Sequence, residues 1–354
     1  MATLRHCSSI GLPRCNAHPL STPTLSICIP TYNFGAFIGQ TLASITPQVT
    51  PDVEIVILDG GSTDDTQQVV QAAAERSSRI RYVRQTHRGG IDRDMARVVD
   101  LAQGEYCWLF SADDVMHSGS LDFVLQAIRS ADDLYLCGVS LCDIAMRPIG
   151  EHPVSRAAAG EVFELRDDRV RARYFRLAET TTAFFSFMGA MIFKRSRWMA
   201  QSLDERYIGS LWAHVVRLLR LIPEGLRLHY IGKPLLAKRS DNDSFMDRGL
   251  VHRYALAIDG YHRIAADVFG PASFEARQVR RALANEFPPA VFFHLREQSR
   301  KAGRAEELAE IERLVARAYV DPTLRNVLWR ADYRFAITPR LRGLRARLHA
   351  AIGQ

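Results

Sequence analysis

The chain has 354 residues, 47% of them hydrophobic and 24% charged. These proportions fit an ordinary globular protein with room for one large α/β domain and an appendage, or for two domains. No apolar run approaches the roughly 20 residues that span a bilayer, and seven arginines against one acid, Asp332, between Thr323 and Gln354 account for most of the net charge of +7, so a general nucleic-acid binder is excluded.

Residues 1–24 carry Arg5 and Arg14 without the apolar stretch of a signal peptide, and are expected to be a disordered extension. Leu25–Ile29 reads as a strand stopped by Pro30, and Ile38, Leu42 and Ile45 repeat at helical spacing. Val53–Leu58 is a β-branched strand ended by Asp59-Gly60-Gly61, and Thr66–Arg76 is a helix with Asp64 and Asp65 at its positive end. Ile80–Val83 predicts a strand, and Met95, Val98, Val99 and Ala102 mark a helix closed by Gly104. Strand Tyr106–Phe110, helix Ser118–Ser130 and strand Leu134–Val139 follow. This alternation implies an α/β fold, a Rossmann-like, mostly parallel sheet with helices on both faces.

Residues 151–185, with a basic cluster from Arg166 to Arg176, show no clear pattern. Ser186–Phe193 reads as a strand, Leu211–Leu221 as a helix, and Leu226–Ile231 and Leu235–Lys238 as two strands; from about Val251 the signals are helical. The six cysteines form no CxxC pair, and Cys28 and Cys107 lie inside strands, so buried reduced thiols are expected.

No GxGxxG joins the first strand to the first helix, which argues against a dinucleotide-binding oxidoreductase. Four other loops follow strand ends, where ligands of an open parallel sheet bind. Tyr32 offers an aromatic face, Asp59 an acceptor for a base or ribose edge, Gly89-Gly90 a close backbone approach and Arg93 a partner for phosphate oxygens. Asp113 and Asp114 repel each other unless a cation or proton intervenes, and Mg²⁺ or Mn²⁺ bridging to a diphosphate would relieve this. The alternative for the pair is an Asp-rich turn capping the next helix.

Residues 25–114 resemble the family 2 glycosyltransferases of the GT-A fold. The resemblance rests on Ile27-Cys28-Ile29-Pro30-Thr31-Tyr32-Asn33, on Asp59-Gly60-Gly61-Ser62-Thr63-Asp64 and on Ser111-Ala112-Asp113-Asp114, a variant of the DxD motif with serine in the first acidic place. Tyr207-Ile208-Gly209, His214-Val215, Leu228 to Leu235 and Asp241 to Phe245 are similar to the abequosyltransferases of O-antigen assembly. The resemblance implies a GT-A domain over 25–248, with a nucleotide-sugar half (25–140) and an acceptor and catalytic half (141–248), then a helical region over 249–354. It implies that Pro30, Thr31, Tyr32, Asn33, Asp59, Gly90, Arg93, Asp113 and Arg239 hold the donor and that Asp113 and Asp114 hold the metal. Asp241 and Asp243 either close over the donor with Arg239 or belong to a polar loop without function. The family's catalytic Glu-Asp pair is missing; His214 falls where its second acid would lie and is expected to be the general base, titrating near pH 6–7, with Asp204 and Glu205 as runners-up.

The implied activity is an inverting transfer of a sugar, abequose or another deoxyhexose, from a CDP-, UDP- or dTDP-linked donor to a polyprenyl-diphosphate-linked saccharide. A catalytically silent nucleotide-sugar binder is the alternative of a different class. Leu341, Leu344, Leu348 and Ile352 share one side of a helix expected from Pro339, with arginines on the rest. Such a helix suits an anionic membrane surface, with a solvated helix docked on the domain as the alternative; the expected location is cytoplasmic, peripheral on the inner face of the cytoplasmic membrane.

Overall fold

Seven consecutive buried residues, Leu25–Thr31, form strand β1 of a computed structural model that describes residues 22–242 and 248–336. A strand buried on both faces belongs in the middle of a sheet with helices above and below. β1 lies parallel to β2 (Val53–Asp59), which lies parallel to β3 (Ile80–Arg84). Helices α1 (Gly35–Ile45), α2 (Thr66–Arg76) and α3 (Ile91–Leu101) lead to β4 (Tyr106–Leu109), parallel to the other edge of β1.

The second half of the sheet begins with β5 (Val115–Met116), α4 (Ser120–Ala127), β6 (Leu134–Cys142), β7 (Pro148–His152) and β8 (Glu161–Glu164). It continues with α5 (Asp168–Leu177), β9 (Met191–Lys194), α6 (Arg195–Ala200), α7 (Ala213–Leu219) and β10 (Arg227–Arg239). β9 runs antiparallel between β4 and β6 and joins the parallel N-terminal strands to the parallel pair β6 and β10. Among the described residues the sheet has ten strands in the order β3-β2-β1-β4-β9-β6-β10-β5, with β7 on β6 and β8 on β10.

Three expectations need correction. The strand expected over Ser186–Phe193 is reduced to β9, because the preceding carbonyls are held by side chains rather than by a ladder. Tyr174 donates to Ala183 O, Tyr261 to Phe184 O at 3.0 Å and Trp108 to Gly189 O at 2.8 Å. The two strands expected over 226–238 are one, β10, whose pairing with β6 slips around Pro234, where Gly232 takes φ +69°. The helix expected from Ser118 starts at Ser120 after Gly119, in the left-handed region, with no side-chain cap, so Asp113 and Asp114 do not cap it.

The helical region holds α8 (Gly249–Phe269), α9 (Phe274–Glu286), α10 (Pro289–Lys301), α11 (Ala305–Ala318) and α12 (Leu324–Phe335). It is docked on the rest: Tyr261 of α8 reaches Phe184 O, and Trp212 Nε1 donates to Leu256 O at 2.9 Å. The expected boundary at 248 marks a change of secondary structure, with packing continuous across it. No described helix is long and apolar enough to cross a membrane. Cys28, Cys107, Cys137 and Cys142 are buried free thiols. The expected N-terminal extension (except Thr22 to Thr24), Asp243 and the tail from Pro339 lie outside the described residues.

Candidate active site

Phe110 continues the line of β4, its N–H donating to Cys28 O at 2.9 Å, so the chain reaches Asp113 and Asp114 at the carboxyl ends of the parallel strands. There a cavity of about 330 Å³ opens, lined by both acids and by Pro30. Asp113 accepts hydrogen bonds from Ser111 Oγ at 2.5 Å and from Asn242 Nδ2 at 2.8 Å. Asp114 is 1% exposed; Oδ1 accepts the Arg239 N–H at 2.9 Å, while Oδ2 is buried with no partner. Burial, then the charge of Asp113, raises its carboxyl well above the ordinary range. An orphaned buried carboxylate oxygen next to a second acid fits a divalent cation. Such ions need only one or two protein carboxylates when substrate phosphates complete the shell; no cluster of three or more metal-ligating side chains stands among the described residues.

Arg239 is 5% exposed beneath this loop. Its guanidinium donates to Asp113 O at 3.0 Å, to Ile144 O and to Gln40 Oε1 at 2.7 Å, and lies 4.9 Å from the Phe37 ring centroid. It holds the acidic loop and lines the cavity. Asp241 is exposed, and its neighbour Asn242 is the residue that meets Asp113.

His214, on the first turn of α7, lines the same cavity and is 4% exposed. Its Nε2 lies 3.1 Å from Phe185 O, so Nε2 carries the proton and donates; Nδ1 is left as a buried lone pair without a partner. Burial pulls its pKa down to about 4, which corrects the expected titration near pH 6–7. A short carboxylate sets α7 in place. Asp92 of α3 accepts the N–H groups of Gly209, Leu211 and Ala213 at 2.9, 3.1 and 3.0 Å.

The runner-up bases lie elsewhere. Asp204 is clasped by Arg206 and Arg220, which hold it far below the usual carboxylate range. Glu205 pairs with Arg93 at 2.6 Å. Neither acid lines the cavity, and Arg93, expected on phosphate, is engaged by Glu205.

A second cavity of about 360 Å³ adjoins the first through Ile91 and Leu211, and Arg88, Gly89, Gly90, Arg248 and His252 line it. Gly90 caps α3 at φ +84°, a conformation that favours glycine. The Arg88 guanidinium lies 4.2 Å from the Tyr32 ring centroid. Thr31 is buried with its hydroxyl unpartnered, and Asn33 accepts the Thr63 N–H at 2.8 Å. Asp59, expected on a base or ribose edge, is instead fully buried: Ser62 N–H donates to one oxygen at 2.7 Å and Tyr82 OH to the other at 2.5 Å. It holds the loop that follows β2.

Four charged or imidazole side chains of the cavity escaped the sequence reading: His152, Lys238, Arg253 and Glu286. His152 accepts from, or donates to, Thr182 Oγ1 at 3.0 Å and is lowered to about 4 by burial. It lies in the stretch that showed no pattern. Lys238 neighbours Arg239 on β10 and could have been found from that position. Arg253 and Glu286 come from the helical region, where no local signal marks them.

The comparisons with known proteins agree with this geometry. Residues 26–196 match the model of Glycosyl transferase family 2. The chain is 32% identical over 273 residues to the abequosyltransferase RfbV of Salmonella typhimurium, covering 75% of this chain and 81% of that protein. It is 28% identical over 199 residues to the GalNAc(5)-diNAcBac-PP-undecaprenol beta-1,3-glucosyltransferase of Campylobacter jejuni, covering 55% and 60%. Among solved structures, S. aureus TarS 1-349 in complex with UDP-GlcNAc matches with a TM-score of 0.52 at 15% identity, over 84% of this chain and 80% of that one. The mannosyltransferase PcManGT of Pyrobaculum calidifontis, in complex with GDP-Man and Mn2+, matches with a TM-score of 0.50 at 19% identity, over 89% and 83%. The sheet, the acid pair beyond β4 and these likenesses together place the chain in glycosyl transferase family 2, as a glycosyltransferase of the GT-A fold.

Proposed function

We propose that this glycosyltransferase is inverting and metal-dependent, and that it moves a sugar of the deoxyhexose kind from a nucleoside diphosphate to a lipid-linked oligosaccharide in O-antigen or surface-polysaccharide synthesis. The observation that carries this reading is the unpartnered, buried Asp114 Oδ2 beside Asp113 in the cavity. Mg²⁺ or Mn²⁺ bound by these two acids would neutralise charge on the departing diphosphate. Tyr32 and Arg88 form the platform for the nucleoside, and Gly89-Gly90 let the backbone approach it.

His214 is the general base in this reading. The Phe185 carbonyl fixes the tautomer, so the Nδ1 lone pair takes the proton of the acceptor hydroxyl. That oxygen forms the new bond to the anomeric carbon while the bond to the diphosphate oxygen breaks, and the electron pair leaves with the diphosphate. A pKa of about 4 gives the imidazole the basicity of a carboxylate, the group it replaces.

The relatives support the substrate classes: one is an abequosyltransferase, and the other's name includes a PP-undecaprenol saccharide. An anionic membrane surface fits α12. Leu324, Val327, Leu328 and Phe335 are 76%, 55%, 57% and 56% exposed and recur at helical spacing on a helix that also carries Arg325, Arg330 and Arg334. The test is a thermal-shift and turnover screen of CDP-, UDP- and dTDP-sugars with and without Mn²⁺. A ligand at 100 times its dissociation constant stabilises the fold by about 2.7 kcal/mol. Release of nucleoside diphosphate from one donor class is expected; stabilisation without any turnover would leave a silent binder instead.

A further inference from the structure

Helix α9 ends at Glu286, and this carboxylate forms part of the wall of the first cavity. Its Oε1 accepts both the N–H of Thr181 and the Thr181 hydroxyl, the latter at 2.7 Å. Its Oε2 takes no hydrogen bond among the described residues. The loop that Thr181 begins is already held by Tyr174, Tyr261 and His214. A neutral glutamine would hold Thr181 equally well, so neither the charge nor the second oxygen is explained by the loop.

A complementary group stands on the same wall. Arg253 of α8 lines the cavity, and its Nε–H is buried without a partner. Arg253 and Lys238 are near enough to act electrostatically on the Glu286 carboxyl, against the effect of its burial. The wall thus offers an acceptor oxygen and a donor N–H that make no hydrogen bond among the described residues, the donor on an arginine whose guanidinium otherwise lies 5.7 Å from the Trp212 ring centroid. A buried donor without a partner, as Arg253 Nε is, costs stability unless a ligand satisfies it. Neighbouring hydroxyls of a sugar ring are the natural complement, one donating its O–H to the carboxylate and the next accepting from the guanidinium. Phe287 and Tyr254, on the same wall, add apolar faces for the ring's C–H edges.

We propose that Glu286 and Arg253 are the sugar-recognising pair of this site, binding adjacent hydroxyls of a neutral sugar ring. The inference rests on the reading of the cavity as the transfer site. It goes further by placing the choice of sugar in the helical region, outside the segment that matches the family model.

The experiment compares the full-length protein with Glu286→Gln, Arg253→Met and Thr181→Val. Calorimetry with CDP, UDP and dTDP in Mn²⁺ reads the nucleotide end. Steady-state kinetics with the preferred nucleotide sugar and a polyprenyl-diphosphate-linked oligosaccharide reads the sugar end. Glu286→Gln keeps an oxygen for Thr181 and is expected to bind the nucleoside diphosphate as the parent does. It should raise one KM by about 10–100-fold, the range for a hydrogen bond to a charged group. A rise for the donor assigns the pair to the transferred sugar; a rise for the oligosaccharide assigns it to the acceptor. Arg253→Met should raise the same KM. Unchanged KM values for both substrates in Glu286→Gln overturn the proposal, as does a Thr181→Val variant that reproduces the whole loss, which would mean that Glu286 only holds the loop. A parent protein that binds none of CDP, UDP and dTDP fails at the nucleotide end, and then the reading of the cavity falls together with this one.

Discussion

Arg93 and Glu205 form a two-pronged ion pair, Nη1 to Oε1 at 3.0 Å and Nη2 to Oε2 at 2.6 Å, that ties the first turn of α3 to the tight turn ahead of α7. Both partners are exposed, so the pair contributes little to stability. Its consequence is for assignment: any anion that recruits Arg93 must first displace Glu205, and Glu205 is not free to accept a proton at the cavity.

The first prediction follows from that pairing. Glu205→Gln and Asp204→Asn should keep most of the parent's turnover, whereas His214→Ala should lose about 10²–10⁴-fold, the usual contribution of a general base. The acidic limb of the pH–rate profile should fall near pH 4, where burial has placed His214, and not at 6–7. A dead Glu205→Gln beside an active His214→Ala would transfer the role to Glu205.

Asp113→Asn and Asp114→Asn should abolish the Mn²⁺-dependent part of CDP or UDP binding, and excess EDTA should suppress turnover in the parent. Asp114→Asn removes a costly buried charge while keeping an oxygen for the Arg239 N–H, so its ligand-free melting temperature should not fall. Calorimetry with and without metal, alongside thermal melts, checks both points.

Asp59→Ala should lower stability and nucleotide affinity together, because the lost carboxylate leaves the Ser62 N–H and the Tyr82 hydroxyl unpaired. An unmet buried donor costs roughly 1–3 kcal/mol, and the partly buried Tyr82 hydroxyl less. Tyr32→Ala should lower nucleotide affinity with little loss of stability. Urea unfolding and calorimetry on the two variants separate the roles.

Acid should weaken the fold through histidines kept neutral inside it. Burial holds His262 at about 4, while an unfolded histidine titrates near 6.5. Between those pH values the unfolded chain binds the proton and the native chain does not. The stability present above pH 6.5 is therefore lost as pH falls toward 4, by about 1.4 kcal/mol per pH unit for this one group. His262→Leu should flatten the urea-stability profile by that slope within the same window, and leave it unchanged above pH 7.

Leu324→Glu combined with Leu328→Glu should release the protein from vesicles containing anionic lipid without changing turnover on a soluble acceptor analogue. Raised salt should weaken the parent's binding as well. Equal sedimentation of variant and parent would remove α12 from the membrane reading.

The nucleotide half was legible because its signals are local: a β-branched run, a loop, a helix, repeated. Asp113 and Asp114 could be singled out because two acids follow an apolar strand. Ser186–Phe193 read as one strand because it is mostly apolar, but only the part from Met191 pairs, since the Gly189 carbonyl is claimed by Trp108; the patternless residues just before it have carbonyls claimed by Tyr174, Tyr261 and His214 from distant elements. Arg253 and Glu286 were invisible for the same reason: each reaches the cavity only through tertiary packing, and nothing within a helical turn of either marks it. Asp59 carried a readable motif, but the burial of its carboxylate was not legible there, since it depends on Tyr82, which comes from the next strand.

The three N–H groups gathered by Asp92 set a limit on recombining this enzyme with its relatives. A chimaera joined anywhere between α3 and residue 213 inherits the carboxylate from one parent and the turn it organises from the other. If the incoming turn does not bring Gly209, Leu211 and Ala213 to the same three positions, a buried acid and up to three amides are left unmatched, and the helix bearing His214 loses its anchor. Crossovers placed after residue 242 keep that cluster whole and leave Arg239 and Asn242 with the acid pair they hold. They would exchange the wall that carries Arg253 and Glu286 as a cassette, leaving the nucleotide end and the base in their original frame.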